Sequence, residues 1–123
     1  MIKIEIDDIL PSLNLWYAGI HWSKRKKLVD LWHTMVKIYV NNNKVKPVEK
    51  YPVCIISQTF LKSKRSRDTD NGILANKICC DGLVLVGILK DDTPEYVIEH
   101  RVLRPIFEAK ENKTIIVNTK LLI

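Results

Sequence analysis

At 123 residues the chain has the size of one domain, and a hydrophobic content of 46% can build a buried core without metal or disulfide staples. No run approaches the roughly 20 apolar residues of a membrane span, and the start MIKIEIDD is acidic where a signal peptide is basic and then apolar, so one cytosolic domain over residues 1–123 is expected. Net charge is +6, from 20 Lys+Arg against 14 Asp+Glu, which suits a polyanionic partner without requiring one, and the three cysteines suggest neither a disulfide framework nor a zinc site.

Residues 2–6 alternate Ile with Lys and Glu, the period of a half-buried first strand. Asp7 and Asp8 then lead into a loop holding Pro11, Asn14, Trp16, Tyr17 and Gly19. Over residues 23–40, Leu28, Leu31, Trp32, Met35, Val36 and Tyr39 recur at three- and four-residue steps, which predicts an amphipathic helix with Ser23 as N-cap. Three asparagines, Asn41 to Asn43, end it. The apolar run over residues 51–61 reads as a central strand, and Lys62 to Arg67 as a basic loop.

A second helix is expected to open at Asp70 and run to about residue 86, where Gly87 can end it. Asp91-Asp92-Thr93-Pro94 is the next turn, and strands over residues 96–103 and 114–121 follow. The order β-α-β-α-β-β predicts an α+β fold: a mixed four-stranded sheet with two helices on one face.

Asp68 and Asp70 follow a strand, and Asp91 and Asp92 follow the helix that returns the chain alongside it, so four carboxylates are candidates to converge. Close carboxylates raise one another's pKa unless a cation neutralises them, and oxygen-only ligation favours Mg²⁺ or Mn²⁺ over zinc. Each motif also has an ordinary explanation, an aspartate capping a helix and an Asp-Asp turn before Thr-Pro. Lys77 stands four residues before Asp81 on the same helix face, where either a site lysine or a surface ion pair accounts for it.

Lys24, Arg25, Lys26 and Lys27 fall at the start of the first helix, where the macrodipole makes each cation unfavourable by about 0.3–1 kcal/mol. A docked phosphate reverses that sign. Lys62, Lys64, Arg65 and Arg67 lie immediately before the acidic pair, so a phosphate backbone they attract arrives beside it. Trp32 is expected in the core, while Trp16 and Trp22 fit either core packing or stacking on exposed bases. His21, His33 and His100 show no metal-ligand spacing, and there is no Gly-rich phosphate loop or nucleophile motif.

The stretch Arg67-Asp68-Thr69-Asp70-Asn71, then Lys77, Asp81-Gly82-Leu83, Gly87-Ile88-Leu89 and Asp91-Asp92, resembles the signature of the RusA family of Holliday junction resolvases. Pro11-Ser12-Leu13-Asn14 is similar to that family's Pro-Ser-x-Asn loop, so the likeness spans about residues 10–105. It implies catalysis by Asp68, Asp70, Asp92 and Lys77, with Asp91 an alternative metal ligand to Asp92. It further implies Mg²⁺ or Mn²⁺ as cofactor, a homodimer, and branched DNA as partner in the cytoplasm of a bacterial or phage-infected cell. Asn14 and Asn71 join the basic residues above as candidate DNA contacts. Five residues separate Asn71 from Lys77, about three more than in the family pattern, which turns the lysine by about 60° and moves it by about 4.5 Å. Two other expectations compete with a resolvase: a branched-DNA-binding protein without cleavage, and a nuclease acting broadly on flaps and forks.

Overall fold

A computed structural model describes residues 2–11, 15–63 and 72–120, the last three of these by backbone alone. In chain order the elements are β1 (Ile2–Ile6), a single π-helical turn (Leu15–Gly19), α1 (Trp22–Asn42), β2 (Val53–Phe60), α2 (Ile73–Leu85), β3 (Val97–Val102) and β4 (Lys113–Lys120). The predicted α+β fold is the observed one, with strand order β1-β4-β2-β3. β4 runs antiparallel to both β1 and β2, while β3 pairs parallel with β2 at the other edge.

Register explains which residues form the core. Ile4 lies opposite Ile116, and Ile116 opposite Ser57, so these three share one face, together with Ile6, Thr114 and Ile55. All six are buried. Both helices cover that face and pack on each other, α1 against β1 and α2 against β2, β3 and β4. Trp32, Val36 and Val40 of α1 meet Leu74, Ile78 and Leu83 of α2 in one apolar cluster. Trp32 is fully buried, as expected, and Trp16 is also buried, whereas Trp22 is 64% exposed. Leu31 is exposed as well, because the buried arc of α1 runs through its neighbour Trp32 and one turn on through Val36.

The helix boundaries differ from the expected ones for local reasons. α1 begins at Trp22 with His21 as its cap in place of Ser23: His21 is extended, and its Nδ1 accepts the Ser23 N–H at 3.2 Å. An imidazole nitrogen thus takes the part that a hydroxyl was expected to take. α2 is described from Ile73, with Gly72 at its cap, and the expected start at Asp70 lies outside the described residues. Gly72 packs so closely on the sheet that an added Cβ would lie 2.5 Å from Val102 Cγ1. Gly87 ends the second helical segment as expected, at φ +81°, a left-handed conformation that glycine adopts without strain. No helix of the described residues is long and apolar enough to cross a membrane.

Candidate active site

Where α2 crosses the edge strand β3, a cleft of about 300 Å³ is lined by Ile73, Lys77, Cys80, Asp81, Asp92 and His100. The helical repeat sets this lining: Ile73, Lys77, Cys80 and Asp81 follow at steps of three and four, the spacing of one helix face. The opposite wall comes from the turn before β3 and from His100 within it.

That turn is held from several sides. Ile88 and Leu89 are buried, and both their N–H groups donate to the Leu83 carbonyl, at 2.9 and 3.2 Å. The Lys90 N–H donates to the Tyr51 hydroxyl at 3.1 Å, and Tyr51 meets Tyr96 edge to face at 5.1 Å between ring centres. The Thr93 carbonyl accepts from both Tyr96 and Val97 at 2.9 Å and leads the chain into β3. Asp92 is therefore carried on a braced loop.

The two neighbouring aspartates have different surroundings. Asp91 Oδ1 accepts the N–H of Asp92 at 2.8 Å, so its carboxylate is engaged in closing its own turn. Asp92 lines the cleft. The two side chains thus differ in what they face, Asp91 its own turn and Asp92 the cleft.

Asp81 is the residue that sequence reasoning undervalued. Burial first, and the negative charge of Asp92 second, hold its carboxyl above the ordinary value of 3.8, and a hydrogen bond to Asp92 adds to the rise. Lys77 and His33 oppose it. The same carboxylates reach Cys80, whose thiol is pushed up to about 12 by burial and then by Asp92, Asp81 and Asp91. Cys80 is consequently a neutral thiol at pH 7, unsuited to nucleophilic work. His100 is held below its ordinary 6.5 by burial, with Asp92 pulling the other way, and adds no full charge to the cleft. The Asp81 signal was present in the sequence as the Lys77–Asp81 spacing, but its closeness to Asp92 depends on how the turn folds back.

Protonation here has a stability consequence. Because the folded-state pKa of Asp81 is raised, the folded protein binds this proton more tightly than the unfolded chain, and stability falls as pH rises from 3.8 through the raised value. Asp81→Asn removes one of the two facing charges. It is expected to raise stability at pH 7 by up to about 1 kcal/mol, solvent screening limiting the gain at this partly exposed site, and the advantage should shrink toward pH 4. Denaturation midpoints that match wild type at both pH values would show that the carboxyls do not repel.

The expected residues are placed as follows. Lys77 and Asp92 come together in the cleft, with Asp91 beside them. Lys24, Lys26 and Lys27 are exposed and Arg25 half-buried at the start of α1, and Lys62 is exposed just beyond β2, its N–H donating to Asn112 Oδ1 at 2.9 Å. Asn14, Lys64, Arg65, Arg67, Asp68, Asp70 and Asn71 lie outside the described residues. Among the described residues no three His, Cys, Asp or Glu side chains form a group able to hold a metal ion. All three cysteines are buried and free. No family model matches the chain, and no curated protein is significantly similar to it.

Proposed function

We propose that the protein is a Mg²⁺-dependent structure-specific endodeoxyribonuclease that resolves four-way DNA junctions by paired incisions. The observation that carries this reading is the meeting of Lys77, Asp81 and Asp92 in one cleft, in the order of the resolvase-like motif. Two carboxyls close enough to raise a pKa fit a divalent cation, which would relieve their repulsion. Asp68 and Asp70 would complete the oxygen donors: they stand four and two residues before Gly72, which packs on Val102, two residues along β3 from His100. A bound Mg²⁺ would lower the pKa of a water and polarise a phosphate oxygen.

The chain's own groups then have distinct tasks. Asp68, Asp70 and Asp92 are the ligands of this reading, and Asp81 stands beside them as a further carboxyl. Lys77, exposed at the rim, carries its ammonium toward the negative charge that develops on a phosphate under attack. His100, mostly neutral at pH 7, leaves the field of the carboxylates uncancelled. The +6 net charge, with lysines on α1 and after β2, draws the phosphate backbone of DNA. Cutting opposed strands of a junction calls for two such sites, which a homodimer with two-fold symmetry supplies. The reading implies an enzyme of the bacterial or phage-infected cytoplasm.

A synthetic four-way junction incubated with the protein, with and without Mg²⁺, tests this reading. Paired incisions that need Mg²⁺ are expected, and Asp70→Asn should bind the junction but not cut it. Junction binding with no incision in Mg²⁺ or Mn²⁺ would point to a binding protein instead. Equal cutting of flaps and forks would remove the junction specificity while keeping the nuclease.

A further inference from the structure

The structure resolves the three tryptophans into two kinds. Trp16 and Trp32 are buried, at 6% and 0% exposure, whereas Trp22 is 64% exposed. Scattered exposed apolar side chains need no explanation. Here, however, Leu15, Tyr17 and Trp22 are all exposed within eight residues, at 48%, 69% and 64%. Tyr17 and Trp22 are five residues apart, so their Cα atoms lie within about 19 Å of each other.

The Trp22 indole also has a fixed base and a charged rim. It is the first residue of α1, next to a cap whose imidazole is held by Ser23, with Nδ1 3.2 Å from the Ser23 N and 2.8 Å from Ser23 Oγ. The His21 and Trp22 rings lie 5.5 Å apart. Arg25 and Lys26 follow Trp22 at three and four residues, on the same side of the helix, and Lys24 and Lys27 flank them. There is no acidic residue in the first turn.

We infer that Trp22, with Tyr17, forms a stacking platform for unpaired DNA bases, and that Arg25 and Lys26 hold the phosphates on either side of the stacked base. A protein partner fits less well, because burying the rim against it would desolvate up to four cations that have no acid in their own turn. DNA supplies an aromatic face and an anion at each nucleotide, the pairing this patch presents. At a four-way junction, bases near the branch point are the ones free to leave the stack. The inference draws its biological substrate from the proposed function, but its physical test does not require incision.

The probe is a single-stranded oligo(dT), titrated in EDTA against the full chain while tryptophan fluorescence is followed. Since Trp16 and Trp32 are buried, quenching on binding reports Trp22. Trp22→Ala should weaken oligo(dT) binding about ten- to hundredfold, the range that loss of one stacked base brings, and Trp22→Phe should retain most of the affinity. An abasic strand of the same length keeps the phosphates and removes the bases, and wild type should bind it about as weakly as Trp22→Ala binds oligo(dT). Wild-type affinity in Trp22→Ala, or equal affinity of wild type for the abasic strand, would overturn the inference. So would a change in oligomeric state in Trp22→Ala with DNA affinity unchanged, which would make the patch a protein interface. Oligo(dT) binding through Trp22 in a protein that cuts no junction would sink the nuclease reading alone. Normal incision and normal DNA affinity in Trp22→Ala would sink the platform alone.

Discussion

Asp92→Asn is expected to reduce Mg²⁺-dependent incision of a four-way junction by more than about a hundredfold, beyond the roughly 10- to 100-fold cost of losing an outer partner of a metal site. The asparagine preserves the shape of a residue carried on a braced loop, so the loss would be one of charge and ligation. Junction affinity measured in EDTA should be unchanged or slightly higher, because one negative charge leaves the cleft. Asp91→Asn supplies the contrast: its Oδ1 accepts the Asp92 N–H, and an amide oxygen can accept the same bond. That variant should cut at close to the wild-type rate. Equal rates for all three proteins would remove Asp92 from the site, and a larger loss in the Asp91 variant would exchange the two roles. A second readout is independent of turnover: Mg²⁺ should raise the melting temperature of wild type and raise that of Asp92→Asn less, by the linkage of binding to folding.

Trp32→Ala is expected to cost about 3–5 kcal/mol of stability, enough to leave a small domain largely unfolded on mild heating. The indole is fully buried between the sheet and α2, and its Nε1 donates to Asp8 Oδ2 at 3.1 Å. Asp8 is itself a junction of three elements. Its Oδ1 accepts the Ile9 N–H at 2.9 Å, and its carbonyl accepts the Thr114 hydroxyl of β4 at 2.9 Å. Trp32→Phe keeps most of the apolar volume and loses the N–H donor, so its cost should be nearer to one hydrogen bond, about 1–2 kcal/mol, plus a small void. Urea denaturation followed by circular dichroism reads both. A Trp32→Ala loss below about 1 kcal/mol would mean that the site collapses around the cavity, contrary to close packing.

The local elements were legible in the sequence because their periods are short-range properties. Ile2, Ile4 and Ile6 alternate with charged residues and become β1, and the three- and four-residue steps through Trp32 and Val36 become α1. Gly87 marked the end of a helix through a conformation that other residues reach only with strain. What could not be read was long-range. Nothing in the spacing of Asp81 and Asp92 says that their carboxyls meet, since that depends on Ile88 and Leu89 turning the chain back onto Leu83. The role of His21 as cap was hidden because an imidazole seldom takes it. The fates of Trp16 and Trp22 were decided by tertiary packing, which buries Trp16 in its π-helical turn and leaves Trp22 exposed at the start of α1. The strand order also lay beyond reach, because alternation reveals a buried face but not a neighbour.

That strand order sets a sequence of events in time. β1 and β2 are not neighbours; β4 lies between them and bonds to both, with Ile2 opposite Asn118 and Val53 opposite Lys120. During synthesis the first strand is complete more than a hundred residues before β4, its partner in the sheet, exists. Until then the apolar faces of β1 and α1 must wait, exposed or loosely clustered, and closing so long a loop makes the final step slow compared with helix formation. The last strand thus acts as the latch of the molecule, and nascent chains that stall before it should be the ones that need chaperone protection.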